Sequence, residues 1–341
     1  MREQSALETA TSGSIRFNTD SSKLEIYNGE QWFEIDATSP EEQTGGTRGL
    51  WAGGEESGKV NRIQFVNVDT TGDTSDFGDA NNNLSSHTAL ASRTRGLISG
   101  GFIGPQPTNY SNVIDFVTIA STGNATDYGD MAVFNGGQKA ACASATRGLL
   151  MGGMYQGVHN NTIEYMTIAQ TGNTIDFGDL TSITVGPSGL ASQTRGLCFF
   201  GNTTPARSNG IDYVTISTLG NATDFGDSTT VGNHRGTSAN AVRGVTAGGM
   251  TDSGVINVIQ FVTIATLGNA VDFGDLTAAR AGFGAGCPSR TRGVFAGGYT
   301  PSKTDAIDYV QIMSTGNGID FGNLAANNQY AAGCSNGHGG L

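Results

Sequence analysis

Six arginines and six aspartates at matching spacing are the residues of this sequence that could carry chemistry. The arginines stand in Thr/Val-Arg-Gly-Leu/Val segments, at Arg48, Arg95, Arg147, Arg195, Arg243 and Arg292. The aspartates open Asp-Phe/Tyr-Gly-Asp/Asn segments, at Asp76, Asp127, Asp176, Asp224, Asp272 and Asp320. Such residues can bind a charged ligand, or they can join protein segments through ion pairs or arginine-to-carbonyl bonds. Because the two sets are equal in number and spacing, we favour the structural role.

Enzyme signatures are weak in this chain. Asp-Phe-Gly resembles the magnesium motif of protein kinases, but no glycine-rich loop with a strand lysine accompanies it, nor a His-Arg-Asp loop. No serine elbow, His-Glu-x-x-His or phosphate-binding loop occurs either. We therefore expect a protein that is not an enzyme, has no catalytic residues and uses no cofactor.

Metal binding has one weak candidate. The segment Asp69–Asp79 gathers four carboxylates and could hold Ca²⁺, but it lacks the ordered spacing of an EF-hand loop. The histidines, His87, His159, His234 and His338, lie in different copies of the repeat without ligand spacing, so we expect most to be solvated. The prediction is no metal site, with calcium as the alternative.

The arginines and aspartates belong to a repeat that fills most of the chain. Successive arginines are separated by 47, 52, 48, 48 and 49 residues. A period near 48 is typical of four-stranded propeller blades. The sequence also consists of short β-branched and aromatic runs between glycines, and it contains 52 glycines. Residues 47–341 are therefore predicted to form an all-β, six-bladed β-propeller of four-stranded antiparallel blades.

The sixth copy serves as the template for one blade. Its predicted strands are Phe283–Cys287, Arg292–Ala296, Ala306–Met313 and Gly318–Leu324. This order, and double glycines such as Gly297-Gly298, resemble the kelch propeller. The fourth copy departs with Phe200-Gly201, and the tryptophan of the fourth kelch strand is missing. We expect the aromatic residue of each Asp-Phe/Tyr-Gly segment to fill its place as an anchor between blades.

The two ends of the repeat region complete each other. The first copy has no first strand, and the segment Tyr330–Leu341 aligns with Phe283–Val294, which begins with one. We predict that this C-terminal strand completes the first blade and closes the ring, which removes exposed sheet edges. Cys142, Cys287 and Cys334 share one repeat position with leucines, so buried free thiols are expected.

Charge and hydropathy exclude several partners. The net charge is −12 and the isoelectric point about 4.6, which argues against nucleic acid and anionic membranes. The N-terminus lacks the apolar core of a signal peptide, and no 18-residue apolar run occurs in the chain. We expect synthesis in a cytoplasm.

Residues 1–36 stand outside the repeat, and residues 37–46 form a polar linker. Residues 13–35 predict a small N-terminal β-meander with turns at Thr19–Ser22 and at Asn28-Gly29. Gly13, Arg16, Asn18, Lys23, Tyr27, Gly29 and Trp32 resemble a segment that recurs in virion and fibre proteins of tailed bacteriophages. The resemblance implies attachment to other virion proteins; the alternative is an ordinary meander packed on the domain.

The segments that vary most among the copies are predicted to lie on one face of the propeller, where recognition sites are common. Candidate binding residues in them are Phe102, Tyr110, Phe134, Tyr155, His159, Arg207, His234, Arg235 and Tyr299. Neutral drift of these loops is the alternative interpretation.

The expected function is that of a virion structural protein of a tailed bacteriophage, made in the host cytoplasm. It is expected to be a tail fibre or appendage whose propeller binds a host surface glycan or protein. The alternatives are a purely structural protein of head, neck or baseplate, and a polysaccharide-degrading enzyme. Other virion proteins are the expected partners, and homo-oligomerisation is left open.

Overall fold

A computed structural model describes residues 10–19, 23–35, 47–104, 109–133, 136–204, 206–283 and 286–337. These residues form strands, turns and bends, so the predicted all-β class is confirmed. Within these ranges there is no helix that is long and apolar enough to cross a membrane. The chain divides into two compact units, Met1–Thr44 and Gly45–Leu341, called unit 1 and unit 2 below.

Unit 1 contains the predicted meander. Its strands β1 (Ile15–Asn18), β2 (Lys23–Tyr27) and β3 (Trp32–Ile35) pair in that order and antiparallel. The turn between β2 and β3 is fixed by Asn28, whose side-chain oxygen accepts hydrogen bonds from the backbone N–H groups of Glu30 and Gln31, both at 2.8 Å. Gly29 adopts a positive φ of 106° there, a conformation that favours glycine.

The two faces of this sheet differ in chemistry. On one face Arg16 and Asn18 both donate to Glu25, each at 2.8 Å, and the Arg16 guanidinium lies 4.2 Å from the centre of the Trp32 ring. The hydrogen bonds from Asn18 and Arg16 lower the pKa of the Glu25 carboxyl. The other face carries apolar side chains that remain exposed: Ile15 (61%), Phe17 (60%), Leu24 (40%) and Phe33 (46%).

Unit 2 contains the repeats, each built from short antiparallel strands. Those of copies one to three are β4 (Arg48–Ala52), β5 (Val60–Asn67), β6 (Ser75–Leu84), β7 (Thr88–Ala91), β8 (Arg95–Ser99), β9 (Val113–Thr118), β10 (Thr126–Asp130), β11 (Ala140–Ala143), β12 (Arg147–Met151), β13 (Met154–Tyr155), β14 (Val158–Thr167) and β15 (Ile175–Thr184). Copies four and five contribute β16 (Ser188–Ala191), β17 (Arg195–Phe199), β18 (Gly210–Thr215), β19 (Thr223–Asp227), β20 (Gly236–Ala239), β21 (Arg243–Ala247), β22 (Met250–Thr251), β23 (Gly254–Val255), β24 (Val258–Thr263) and β25 (Val271–Asp275). Copy six and the C-terminus contribute β26 (Cys287–Pro288), β27 (Arg292–Ala296), β28 (Tyr299–Thr300), β29 (Ser302–Gln311), β30 (Ile319–Asn328) and β31 (Ala332–Ser335).

These strands form six main sheets, each with four strands paired in one order. Sheet 1 is β31-β4-β5-β6, sheet 2 is β7 to β10, and sheet 3 is β11-β12-β14-β15. Sheet 4 is β16 to β19, sheet 5 is β20-β21-β24-β25, and sheet 6 is β26-β27-β29-β30. The predicted pairing of the C-terminal strand with the first copy is confirmed, because Ala332 lies opposite Ala52 and Ser335 opposite Gly49.

In the sixth copy, three of the four strands have boundaries that differ from the prediction. The second strand, Arg292–Ala296, has the predicted limits, but the third begins at Ser302 and the fourth continues to Asn328. The described part of the first strand is only Cys287–Pro288. The sequence pattern underestimated the lengths of these strands because their outer parts contain polar residues such as Lys303 and Asn327. Backbone pairing with a neighbouring strand needs no apolar side chain.

Six hydrophobic clusters fill the spaces between consecutive sheets. Each combines residues of one sheet with residues of the next, as when Leu197, Phe199 and Phe225 of sheet 4 pack with Val262 and Ile264 of sheet 5. The sixth cluster joins sheet 6 to sheet 1 through Trp51, Val66, Phe321 and other residues. The first strands also contact one another in the order β31, β7, β11, β16, β20, β26 and back to β31. The cysteines are buried, as expected.

The six repeated arginines bind backbone carbonyl oxygens of another sheet. The donor–acceptor distances are 2.7–3.4 Å. The carbonyl oxygens of Ile119, Ile168, Ile216, Ile264, Ile312 and Val68 accept from Arg48, Arg95, Arg147, Arg195, Arg243 and Arg292, respectively. Each guanidinium also lies 4.3–4.8 Å from the centre of an aromatic ring in its own third strand. Of the structural roles considered, the arginine-to-carbonyl bond is therefore the one observed, and the six aspartates lie exposed at the surface.

The Asp-Phe/Tyr-Gly segments lie against the next sheet. Their rings, Phe77, Tyr128, Phe177, Phe225, Phe273 and Phe321, are buried and meet the aromatic ring of the third strand edge-on, with centroids 6.0–6.3 Å apart. The glycine that follows has no room for a side chain. A Cβ at Gly226, for example, would lie 2.6 Å from the backbone carbonyl of Gly268 in the following copy.

Candidate functional site

The structure separates the nine predicted binding residues into buried and accessible groups. Phe102 (0% exposed), Tyr110 and Arg235 are buried, so the prediction that they lie on an open loop surface is wrong; Arg235 lines a cavity instead. Tyr155, His159, Arg207, His234 and Tyr299 are partly exposed. Phe134 lies outside the described residues. The buried members are enclosed because loops of neighbouring sheets pack on one another.

Phe102 and Tyr110 belong to an aromatic stack between sheets 2 and 3. The two ring centroids are 4.8 Å apart, and Tyr155 extends the stack at 5.5 Å from Tyr110. A Cβ at Gly137 would lie 3.0 Å from the Phe102 ring, so the neighbouring loop closes directly over it. Only Tyr155 presents part of its surface, and the stack therefore anchors a loop and holds that ring in place.

His159 and Arg207 come together in a surface cleft, although they are 48 residues apart. His159 Nδ1 lies 2.8 Å from the hydroxyl of Thr204, and Arg207 forms an ion pair with Asp252. Asn202 and Ala206 complete the lining. This rim cleft offers an imidazole, a guanidinium and an amide to a polar ligand.

A set of residues with positive φ lies just before the six first strands. Its members, here called the inner collar, are Ser86 (51°), Gln138 (56°), Gly186 (65°), His234 (52°), Gly282 (75°) and Tyr330 (58°). Five of them occupy the same repeat position, and Gly282 lies one residue earlier in its copy. Four of the six are not glycine, and this backbone conformation is unfavourable for such residues. Backbone N–H groups of Ser86, Gln138, Gly186, His234 and Tyr330 donate to carbonyl oxygens of neighbouring collar residues, at 2.7–3.3 Å.

A shallow cavity, here called the collar cavity, lies at the inner collar. It is open on one side, and its lining includes Ser86, Lys139, His234, Arg235, Phe283 and Tyr330. A second pocket is lined mainly by small residues of the first strands, such as Ala89, Ala141 and Gly333. The larger and more polar side chains thus concentrate at one place, next to the collar.

Aromatic rings cover one side of the collar cavity. The rings of His234 and Tyr330 meet edge to face at 5.5 Å, and Tyr299 lies 6.3 Å from Tyr330. Burial, with a smaller contribution from the Arg207 charge, lowers the pKa of His234 to about 4, and burial raises the pKa of Tyr330. Both side chains are therefore neutral near pH 7 and can stack on a ligand or form hydrogen bonds with it.

Buried polar residues occupy equivalent positions in the third strands of all six sheets. The central position of each third strand holds Gln64, Asp115, Glu164, Asp212, Gln260 or Asp308, all buried. Each accepts a backbone N–H from the preceding copy, as Val133 donates to Glu164 at 2.8 Å and Ala325 donates to Gln64 at 3.0 Å. Burial raises the pKa of Asp115 and of Asp212.

Two of these acids have buried cationic partners. Lys139 Nζ lies 3.0 Å from Glu164, and Arg280 lies 2.7 Å from Asp308. Burial lowers the pKa of Lys139 and of Arg280, and the paired carboxylates oppose that shift. Arg235 differs, since it donates to the backbone carbonyl and hydroxyl of Thr230, and burial lowers its pKa to about 10.

The side chains considered as metal ligands do not come together in a metal site. Among the described residues no group of three His, Cys, Asp or Glu side chains is placed to hold a metal ion. In the calcium candidate, Asp69 accepts from Ser289 at 2.9 Å and Asp73 accepts from the backbone of Asn323 at 2.9 Å. These carboxylates cap neighbouring loops. His87 is buried, so the expectation of solvated histidines is wrong for it.

Sequence reasoning missed the inner collar, Lys139 and the buried acids of the third strands. A signal for the collar was present, because residues 86, 138, 186, 234 and 330 share one repeat position and differ in type while the arginine of each copy is constant. A charged residue inside an apolar run, as in Val113-Ile-Asp-Phe-Val, also indicates a buried polar contact. Neither the models of protein families nor the curated proteins contain a match to this chain.

Proposed function

We propose that unit 2 is a closed, kelch-like six-bladed β-propeller in which sheets 1 to 6 are the blades. The contacts that recur between consecutive copies have counterparts between the sixth copy and the first. Arg292 donates to Val68, the cluster around Trp51 joins sheet 6 to sheet 1, and a Cβ at Gly322 would meet the carbonyl of Gly72. A sequence of contacts that returns to its start supports a closed arrangement, since an open row would leave the end sheets uncovered.

We further propose that the protein is a non-enzymatic virion protein of a tailed bacteriophage, a tail fibre or appendage made in the host cytoplasm. The meander of unit 1 would join it to other virion proteins. Two observations support this role, the resemblance of residues 13–35 and the exposed apolar face with Ile15 and Phe17. A three-stranded sheet gains stability when such a face is covered, so a partner protein fits it.

The propeller is proposed to bind a host surface glycan or protein at the face with the rim cleft and the collar cavity. The observation that carries this proposal is the inner collar. On a frame repeated six times, the collar holds serine, glutamine, histidine, tyrosine and two glycines, and its four non-glycine residues adopt a costly backbone conformation. Unfavourable φ values persist where surrounding structure enforces them, and they concentrate at binding sites.

Binding of the full-length protein to host cells tests the proposal. Joint replacement of Tyr155, His159, Arg207 and Tyr299 with alanine should reduce cell binding at least tenfold while the melting temperature changes little, since these side chains are partly exposed. Alanine at Ile175, Val271 and Ile319, which are exposed and line neither site, is the control. In a phage, Phe17→Glu should prevent incorporation into particles and leave cell binding intact.

Other outcomes would overturn the proposal. A wild-type protein without affinity for host cells or their polysaccharide, yet required for particle assembly, would indicate a purely structural role. Release of reducing sugar ends from that polysaccharide would indicate an enzyme. Virions that lack the protein altogether would contradict the assignment to a phage particle.

A further inference from the structure

Three buried cations of unit 2 differ in how their charge is balanced. Lys139 is paired with Glu164 and Arg280 with Asp308, at 3.0 Å and 2.7 Å. Arg235 is only 2% exposed, and in the described part of the chain it has no carboxylate within ion-pair distance. Its hydrogen bonds go to the backbone carbonyl and the hydroxyl of Thr230, and its Nε has no partner among the described residues.

The repeat shows which partner is missing. Glu164 follows Lys139 by 25 residues, and Gln260 follows Arg235 by the same interval. Both lie opposite the fourth residue of their second strand, Glu164 opposite Leu150 and Gln260 opposite Thr246. Gln260 Oε1 accepts from the backbone and the hydroxyl of Thr229, as Glu164 Oε1 accepts from Val133 and Thr174. A neutral amide therefore stands where the counter-ion of Lys139 stands.

An unbalanced buried charge is costly, and the surroundings of Arg235 are suited to removing that cost with a ligand. The collar cavity is lined by Arg235 and by the adjacent His234, whose two ring nitrogens have no partner among the described residues. Guanidinium groups bind carboxylates through two parallel hydrogen bonds. One unpaired positive charge matches a monovalent carboxylate better than a dianionic phosphate.

We propose that the collar cavity binds the carboxylate of an acidic sugar, with Arg235 as its counter-ion and the rings of His234 and Tyr330 against the sugar. The anion site follows from the unbalanced charge, whereas its use for a host glycan rests on the proposed function. A net charge of −12 repels polyanions at long range. Recognition therefore depends on this short-range contact.

Thermal unfolding and calorimetric titration of the full-length protein with glucuronate test the site. Glucuronate should raise the melting temperature in a dose-dependent way, because a ligand of the native state stabilises it. Acetate should act more weakly, since it lacks the ring that stacks, and uncharged glucose should have no effect. A response to inorganic phosphate equal to that to glucuronate would overturn the assignment to a carboxylate.

The decisive variant is Gln260→Glu, which supplies a counter-ion from the chain itself. It should melt higher than wild type without ligand and bind glucuronate at least tenfold more weakly. Gln64→Glu is the matched control. Gln64 has the same position in sheet 1 as Gln260 has in sheet 5, but the residue of sheet 1 that is equivalent to Arg235 is the uncharged Ala331. Gln64→Glu should lower the melting temperature and keep the glucuronate response.

The outcomes separate this inference from the proposed function. If Gln260→Glu destabilises as Gln64→Glu does and binds glucuronate like wild type, Arg235 needs no anion and the inference is wrong. If Gln260→Glu leaves binding to host polysaccharide unchanged, the anion site is not its recognition site, although the proposed function stands. Glucuronate binding by a protein without affinity for host cells would support the anion site and overturn the glycan assignment.

Discussion

Two glycines of the fourth copy provide a direct test of how closely consecutive sheets approach. Gly220 and Gly226 have nearly the same φ, 150° and 145°. An added Cβ at Gly220 would meet nothing within 4 Å, whereas at Gly226 it would lie 2.6 Å from the carbonyl carbon and oxygen of Gly268. Alanine at the two positions therefore has a similar backbone cost but a very different steric cost.

The magnitudes follow from these contacts. The unfavourable φ should cost each variant roughly 1–3 kcal/mol of unfolding free energy. In Gly226→Ala the new methyl group meets backbone, which cannot rotate away, so sheets 4 and 5 must separate. Overpacking of this kind adds about 1–3 kcal/mol. The hydrogen bond from the Gly268 N–H to the Phe225 carbonyl, 2.9 Å long, would lengthen as the sheets move and add up to about 1 kcal/mol.

Guanidinium-induced unfolding, followed by far-ultraviolet circular dichroism, measures the difference between the variants. Gly226→Ala should be less stable than Gly220→Ala by about 1–4 kcal/mol with an unchanged denaturant slope. Gly274→Ala, whose Cβ would lie 2.4 Å from the Gly316 carbonyl oxygen, should behave like Gly226→Ala. Stabilities of Gly226→Ala and Gly220→Ala that agree within about 0.5 kcal/mol would refute the reasoning, because the sheets would then yield without cost.

Three further perturbations test other contacts. Deletion of residues 331–341 removes β31 and leaves β4 as an open edge, so the truncated protein should self-associate and melt well below wild type. A monomer that melts close to wild type would show that the pairing of β31 with β4 contributes little to stability. Phe225→Ala and Phe273→Ala should each cost about 3–5 kcal/mol in chemical denaturation, since both rings are buried, and losses under about 1 kcal/mol would mean that the rings contribute little packing. Burial lowers the pKa of His87 to about 4. The unfolded chain therefore takes up the proton first, and stability falls as the pH drops from about 6.5 towards 4. His87→Asn should remove roughly 3 kcal/mol of that pH dependence, and equal pH dependence in both proteins would show that His87 titrates normally.

The sequence alone determined the features that depend on local pattern and repetition. The spacing of the arginines fixed the number of copies, and short β-branched runs between glycines indicated strands. Arg292–Ala296 was predicted with correct limits because apolar residues end at the double glycine that follows. The missing first strand in the first copy, with a spare one after Tyr330, was enough to predict the pairing of β31 with β4.

Only the tertiary structure decided which side chains are enclosed and which backbones are strained. Phe102 and Arg235 are in variable segments, and variability does not distinguish a surface contact from a buried one. The positive φ of Ser86, Gln138, His234 and Tyr330 opposes the local preference of these residues, so no local rule predicts it. It accompanies the backbone hydrogen bonds that these residues form with residues of neighbouring copies. The unbalanced charge of Arg235 is likewise visible only in the structure, where among the described residues its side chain is buried and has no carboxylate within ion-pair distance.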